Sequence, residues 1–229
     1  MLFEVNSRRT AWLIFQLLVF VSPTWAKDDF QYRSLMTLKM VDTQKIDFVL
    51  FGQGRLIHDA KDVGFYSLSS QLKFDLWKNL SLGFNYTYLN VKVNNPVAGR
   101  SEFKFHHRVE LEANPHWVIR DRLKVNMRNR YEFRWIEDGG SDNSRLRHRT
   151  NLEWPIKNRG PVQSIYANSE FFYDLHDHRY NENWTTPLGV KFRINDKTSL
   201  SFFYLLQSKR GADDWSSVQT FGTHFYREF

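Results

Sequence analysis

The stretch "RNRYEFRW", residues 128–135, alternates polar and aromatic side chains at a strict two-residue spacing. The charged positions are Arg128, Arg130, Glu132 and Arg134. The aromatic positions between them are Tyr131, Phe133 and Trp135. Successive side chains of a β-strand point to opposite faces of the sheet. The stretch therefore predicts a strand with one charged face and one aromatic face.

The same two-residue period recurs along the chain, and no helical period fits these segments. Most segments exceed the ~5–6 residues usual for strands of soluble sheets. They match the ~9–11 tilted residues with which a strand spans a bilayer. The predicted strand segments are residues 30–41, 45–57, 63–76, 80–90, 102–113, 122–136, 144–154, 163–174, 186–195, 199–208 and 217–229.

Residues 1–26 are predicted to be a cleaved signal peptide. Arg8 and Arg9 precede the apolar run "AWLIFQLLVFV", and the segment ends at Ala26 with the small residues that a signal peptidase requires. A membrane anchor is the alternative, but the run is short against the ~20 residues of a spanning helix. Residues 27–229 then form one exported domain. The chain has no cysteine, so this domain has neither disulfides nor a lipidated N-terminal cysteine.

The pattern as a whole predicts an all-β fold: a closed antiparallel transmembrane β-barrel. A closed sheet pairs every backbone N–H and C=O group within lipid, which an open sheet cannot do. Apolar side chains then face the acyl chains, and polar side chains face the lumen. Bacterial barrels of this kind usually have an even number of strands, with both termini at one end. We therefore expect ten to twelve strands, and hairpins of the usual length favour twelve.

This barrel would be narrow, so long charged side chains from opposite walls should pair across it. The forked guanidinium of arginine suits bidentate pairing with carboxylates. The predicted luminal charge network comprises Glu110, Glu112, Arg128, Arg130, Glu132, Arg134, Arg145, Arg147, Arg149, Glu153 and Glu170. The predicted lipid-facing and interfacial girdle positions are Trp77, Tyr131, Phe133, Trp135 and Trp154.

Three segments carry a family resemblance: "RNRYEFRW", "SRLRHRTNLEWP" (144–155) and "YANSEFFYDL" (166–175). They resemble the Arg/Glu-patterned strands of an uncharacterised outer-membrane β-barrel family of Gram-negative bacteria, domain of unknown function 2490. The resemblance covers most of residues 27–229 and is strongest from about 122 to 194. It implies the barrel fold and the outer-membrane location, and it supplies no substrate or activity.

The chain ends in Phe229, like many outer-membrane barrels whose last strand is read by the barrel-assembly machinery. Such strands usually carry an aromatic residue two positions earlier, where this chain has Arg227. From the terminal Phe229 we expect the barrel-assembly machinery as a partner. From the predicted location we expect contacts with outer-membrane lipid and with anionic lipopolysaccharide. No nucleic-acid binding is expected, because the arginines and the aromatic residues occupy opposite strand faces.

The sequence favours a barrel with an Arg/Glu-lined, narrow lumen and a structural role, or a role in the passage or binding of a small anion or solute. One alternative is an outer-membrane lipid hydrolase or acyl-modifying enzyme, for which His106, His107 and Ser169 are the candidates. Another is a soluble periplasmic β-protein that binds an apolar ligand. No nucleophile elbow is present. The sequence therefore predicts no catalytic residues, no cofactor and no metal site; "HDH" (176–178) reads as a solvated loop.

Overall fold

The computed structural model describes residues 30–95, 100–120, 122–137, 144–156, 160–211 and 214–229, and its regular elements there are all strands. The predicted signal peptide lies outside these residues. Within them, no helix is long and apolar enough to cross a membrane. The strands are β1 (Phe30–Asp42), β2 (Ile46–Ile57), β3 (Asp62–Trp77), β4 (Leu80–Asn95), β5 (Arg100–Ile119), β6 (Leu123–Ile136), β7 (Arg145–Pro155), β8 (Val162–Asp174), β9 (Arg179–Asn195), β10 (Thr198–Arg210) and β11 (Trp215–Glu228).

These strands form one closed barrel in which each pairs with its sequence neighbours and β1 pairs with β11. All consecutive pairs are antiparallel, whereas β1 and β11 run parallel, with Phe30 opposite Gln219 and Lys39 opposite Glu228. The all-β closed barrel is confirmed, but the expected even number of strands is wrong. Each predicted segment forms one strand, so none was merged or missed. Alternation identifies strands, but it carries no information on the direction in which the first and last strands meet.

The odd number places the start of β1 and the end of β11 at opposite ends of the barrel. The amide of Ala60, in the β2–β3 turn, donates to the carbonyl of Phe30 (3.2 Å), so β1 begins at what we call the upper end. The amide of Phe229 donates to the carbonyl of Lys39 (3.1 Å), so β11 finishes at the lower end. The first and last strands therefore do not begin and end at one end of the barrel, as expected, because that arrangement requires an even number of strands.

Strand β9 begins earlier than the sequence predicts. The predicted strand begins at residue 186, yet β9 starts at Arg179. Its pairing with β8 shifts register near Tyr166 and near Phe172, and these irregularities break the two-residue period. A polar, aperiodic stretch that continues a strand therefore looks like a loop in the sequence.

Many large apolar side chains of the barrel are exposed and many polar ones are buried, which is the reverse of the usual distribution in a soluble protein. In β4, Phe84 and Tyr88 point outward and are exposed, whereas Asn85 and Thr87 point inward and are buried. Across the described residues, twenty polar or charged residues are buried against six apolar ones. The barrel therefore has an apolar outer wall and a polar interior.

Two glycines make room for aromatic rings in the lumen. A Cβ atom at Gly222 of β11 would lie 2.1 Å from the ring of Phe203, its partner on β10. A Cβ atom at Gly189 of β9 would lie 2.2 Å from the ring of Tyr166 on β8. The far end of each ring thus lies against the glycine backbone, in space that any other side chain would fill.

The parallel closure can be tested by disulfide trapping, because the chain has no native cysteine. Ser34 of β1 lies opposite Thr223 of β11, and paired strands lie ~4.7–4.9 Å apart, within disulfide range. The double variant Ser34→Cys with Thr223→Cys should therefore form an intramolecular disulfide on mild oxidation. The disulfide would be identified by mass spectrometry of the linked peptides.

The matched control is Ser34→Cys with Phe221→Cys, which lies two residues out of register on β11 and should not cross-link. Equal oxidation of both pairs, or of neither, would contradict the parallel register.

Candidate functional site

The charged side chains inside the barrel converge on Glu132 of β6. This carboxylate is completely buried, and it pairs with the guanidinium groups of Arg145 and Arg147 on β7. Arg130, two residues away on the same strand, lies 3.7 Å from the same carboxylate. A buried carboxylate is tolerated only when such partners compensate it. We call the connected group of luminal side chains around Glu132 the charge belt.

Toward β3, β4 and β5, the belt continues through Arg130. Its Nε donates to Oε1 of Glu112 (2.7 Å), and its Nη1 donates to Oε1 of Glu110 (3.0 Å). The Asn85 amide donates to both carboxylates, at 2.9 Å for Glu112 and 3.2 Å for Glu110. The Gln71 amide, on β3, donates to Oε2 of Glu112 (2.8 Å). Neutral amides thus complete the carboxylate coordination on this side of the lumen.

Toward β8, the belt continues through Glu170. Its Oε1 lies 2.9 Å from Nη2 of Arg147 and 2.8 Å from Nη2 of Arg128. The ring of Phe172 is fully buried, with the guanidinium carbons of Arg145 and Arg147 4.8 Å and 4.6 Å from its centroid. These two guanidiniums are therefore held both by carboxylates and by a ring face.

On the opposite wall, Glu182 and Gln207 link strands β9 and β10. Oε1 of Glu182 accepts hydrogen bonds from Nε1 of Trp184 (2.7 Å) and Nε2 of Gln207 (2.6 Å). Oε1 of Gln207 in turn accepts from Arg33 on β1 (3.2 Å) and Arg55 on β2 (3.4 Å).

A contact of 3.7 Å between Arg145 and Glu182 joins this group to Glu132. The charge belt therefore runs as one connected network through side chains from β1 to β10. Such a network fixes which strands lie next to one another and in which register.

The structure places the predicted network residues on the luminal face, with differing partners. Arg134 lies nearer the upper end, 3.5 Å from Asp174. Among the described residues, Arg149 and Glu153 of β7 form no ion pair. The predicted residues that join the belt are Glu110, Glu112, Arg128, Arg130, Glu132, Arg145, Arg147 and Glu170.

The predicted outer positions lie on the outside of the barrel wall. Trp77 is 68% exposed and Trp135 is 54% exposed. Phe133 is also exposed, and the half-buried Tyr131 packs on it with ring centroids 4.5 Å apart. Trp154, near the lower end of β7, is half-buried.

Sequence reasoning missed several residues of the belt. Glu182 lies outside the predicted strand segments, because the segment that follows it was predicted to begin at residue 186. Arg33 and Arg55 lie on strands whose alternation is looser, although each occupies an inward position there. Gln71 and Asn85 are neutral, so only the pairing of their strands reveals their role.

The hydrolase candidates of the sequence analysis do not come together. His106 and His107 point to opposite faces of β5, and Nδ1 of His107 lies 2.6 Å from the hydroxyl of Tyr86 on the outer wall. Ser169 is on β8, separated from β5 by two strands. Within the described part of the chain, no group of three or more His, Asp or Glu residues is placed to hold a metal ion.

A family model described as "Protein of unknown function (DUF2490)" matches residues 31–218, a span that contains the whole charge belt. The chain belongs to this family. The predicted DUF2490 family is thereby confirmed. No curated protein matches the chain.

Within the charge belt of this DUF2490 protein, Glu132 is the residue whose substitution should lower the free energy of unfolding most. Glu132→Gln removes the anion that compensates Arg145 and Arg147, and breaking a buried ion pair costs about 3–5 kcal/mol. We expect the free energy of unfolding to fall by that amount. Guanidinium unfolding in detergent micelles, followed by tryptophan fluorescence, measures it.

The matched control is Glu153→Gln, the same substitution at a luminal position without an ion pair among the described residues. It should change the free energy of unfolding by less than about 0.5 kcal/mol. If the two variants were equally stable, the DUF2490 belt would have no role in holding the barrel.

Proposed function

We propose that this DUF2490 protein is an integral outer-membrane β-barrel whose charge belt closes the lumen and braces the wall. One observation carries the proposal: the barrel exposes its large apolar side chains and buries its charged ones. This is the distribution expected of a barrel in lipid.

The outer wall supports a lipid environment over an aqueous one. Leu68 is 60% exposed, and the neighbouring strand β4 exposes Phe84, Tyr86 and Tyr88. Contiguous apolar surface of this extent is rare on soluble monomers. A soluble protein that holds an apolar ligand would need an apolar interior, whereas this interior is lined by arginine and glutamate. We therefore favour the membrane barrel over the soluble alternative.

Side chains that meet in mid-lumen support a closed rather than an open pore. The Arg33 guanidinium carbon lies 4.3 Å from the ring centroid of Trp184, and that of Arg147 lies 5.8 Å from the same centroid. These three residues come from β1, β9 and β7, so they reach across the barrel from different walls. A conducting pore needs a continuous water path, and side-chain contacts across the lumen support a lumen that is closed at this level.

Anion binding within the lumen is a second candidate function. Arg108 and Arg149 point inward, and among the described residues neither forms an ion pair. Nε of Arg108 is buried without a hydrogen-bond partner there. Arg108 lies opposite Arg134 and Arg149 lies opposite Arg128, so the two arginines lie on either side of Glu132 along the lumen. Arginine side chains that line a pore select anions.

The proposed location assigns partners to both ends. Phe229, 56% exposed at the lower end, is the residue that we propose the barrel-assembly machinery contacts. Lipid would surround the wall, and lipopolysaccharide would contact basic side chains at one rim.

Membrane insertion predicts a high cost for a charge on the outer wall. Leu68→Arg should lower stability in lipid by about 2–4 kcal/mol and reduce the amount recovered in the outer-membrane fraction. At a water-exposed position the same change would stay within about 0.5 kcal/mol. Unfolding in lipid vesicles and membrane fractionation measure the effect.

The control is Asn79→Arg in the exposed β3–β4 turn, where the cost near the interface falls to about 0–1 kcal/mol. Leu68→Arg protein that is as stable and as abundant as the control would refute membrane insertion.

A closed lumen predicts that the wild-type protein gives no discrete current steps in a planar bilayer. Arg33→Ala combined with Trp184→Ala removes two of the side chains that meet in mid-lumen, so steps should then appear. Trp77→Ala, on the outer wall, is the matched control and should stay silent. Large steps from the wild-type protein would contradict closure by the belt.

A further inference from the structure

The apolar outer wall contains a small polar cluster on β6 and β7. Asn129 and His148 are exposed partners on these adjacent strands, and Thr150 follows His148 two residues later on the same face. Tyr131 and Leu146 lie on one side of the cluster along the strands. Polar groups at such positions are costly in lipid unless they satisfy one another.

The three side chains do satisfy one another, and they form a chain of hydrogen bonds. Nδ1 of His148 lies 2.7 Å from Oδ1 of Asn129, and Nε2 of His148 lies 3.0 Å from Oγ1 of Thr150. The Asn129 amide nitrogen donates to the carbonyl of Ala113 on β5 (3.3 Å). The carbonyl contact orients the Asn129 amide, so its oxygen faces the imidazole.

This orientation sets the proton positions. An amide oxygen only accepts hydrogen bonds, so Nδ1 of His148 must carry a proton and donate it. In the neutral ring, Nε2 is then unprotonated and accepts the hydroxyl proton of Thr150. A hydroxyl that donates to an imidazole, which is in turn oriented by a third group, is the arrangement of an activated nucleophile.

We propose that Thr150 is a nucleophile, His148 its general base and Asn129 the positioning residue of an esterase or acyl-transfer site on the outer wall. The substrate class is an ester of a medium or long acyl chain. The expectation that these esters are membrane lipids rests on the proposed function, whereas the triad itself does not.

The surroundings of the cluster suit an acyl chain. Asn129 and His148 line a depression of about 1100 Å³ that extends past Tyr131 and Leu146, and Thr150 borders the cluster without lining this depression. Apolar side chains form much of its lining, among them Leu111, Leu146 and Phe171. Ligand sites typically combine such apolar walls with a few convergent polar groups.

The reaction follows from these groups. Oγ of Thr150 attacks the ester carbonyl carbon while its proton moves to Nε2 of His148. Collapse of the tetrahedral intermediate breaks the bond to the alcohol oxygen, which takes the proton from His148, and the acyl group stays on Thr150. His148 then deprotonates a water molecule, whose oxygen attacks the carbonyl carbon of the acyl-threonine. The bond from this carbon to Oγ1 of Thr150 breaks, the fatty acid is released, and Oγ1 takes the proton back from His148.

Ser169, directly across from Thr150 on β8, is another hydroxyl close to the cluster. It lies 3.3 Å from the amide nitrogen of Asn183 and 3.4 Å from the hydroxyl of Thr185. Its hydrogen bonds therefore lead toward β9 and away from His148, which favours Thr150 as the nucleophile.

The lumen offers a matched control. Oγ1 of Thr37 on β1 lies 2.8 Å from Nε2 of His224 on β11, a second Thr–His pair in the same barrel. Both side chains point inward, and no asparagine among the described residues holds that imidazole. Thr37→Val thus removes the same kind of hydrogen bond away from the outer wall.

The test uses the purified full-length mature protein in detergent micelles, with 4-nitrophenyl octanoate as the probe. Thr150→Val and His148→Asn should each lower kcat/KM at least about 100-fold. Thr150→Ser keeps the hydroxyl and should retain most of the activity. Ser169→Ala and Thr37→Val should stay within about threefold of the wild type. Asn129→Ala should lower kcat about tenfold and leave KM unchanged, because Asn129 only orients the base.

Acid-quenched samples should carry an octanoyl group on the peptide that contains Thr150. The proposal is overturned if wild-type protein cleaves the ester no faster than Thr150→Val, or if the acyl group resides on Ser169. It is also overturned if Thr150→Ser, shown to be folded by heat-modifiable migration, is inactive.

The proposed membrane location and the proposed triad would be contradicted by different results. Protein that cleaves the soluble ester through Thr150, yet fractionates with the periplasm, would retain the triad and lose the lipid location. Membrane-inserted protein that does not cleave the ester would retain the lipid location and overturn the triad.

Discussion

The structure depends on the compensation of buried charge around Glu132. A carboxylate with no exposure can stay ionised only if guanidinium groups reach it, and Arg145 and Arg147 do so from the neighbouring strand. This requires the charged sides of consecutive strands to face one enclosed space. Their other sides must then face outward, and in this chain those sides are apolar. A single requirement thus accounts for both the polar interior and the apolar wall.

The belt also explains how an odd-stranded barrel is held closed. The β1–β11 seam is the only parallel pairing among the described strands, and parallel pairs are slightly less stable per residue than antiparallel ones. Arg33 reinforces the seam from the inside, because it extends from β1 to Gln207 on β10 and to the ring of Trp184 on β9. These contacts bridge across β11 and fasten β1 to strands beyond it. The first strand is therefore held by side chains as well as by backbone hydrogen bonds.

Strand β7 carries two kinds of chemistry on its two faces. Arg147 points into the belt, whereas its neighbour His148 points outward to Asn129. Ion pairs from Arg147 to Glu132 and Glu170 tie β7 to β6 and β8, and thereby fix the register that brings His148 opposite Asn129. A rigid supporting layer of this kind is what a precise polar site requires. The luminal network and the proposed outer site are thus mechanically connected through the sheet.

The sequence predicted only part of the site. The Arg and Glu residues of β5 to β8 could be assigned to one face, because the two-residue period there is unbroken. Their partners on other strands could not, since Gln71 and Glu182 depend on which strands pair and in which register. The cluster of Asn129, His148 and Thr150 was missed for the same reason. The spacing of His148 and Thr150 places them on one face, but nothing in the sequence places Asn129 opposite them.

The sequence by itself determined that the chain forms strands, which side chains share a face, and that one face is charged and the other apolar. These are local consequences of the alternation of side chains along an extended backbone. Only the tertiary structure decided that the described residues form eleven strands, that β1 closes parallel to β11, and that β1 begins at the end of the barrel opposite to the one where β11 finishes. Closure depends on backbone pairing between the first and last strands, residues about 190 positions apart such as Tyr32 and Phe221. A periodicity read along the chain contains no information on such a pairing.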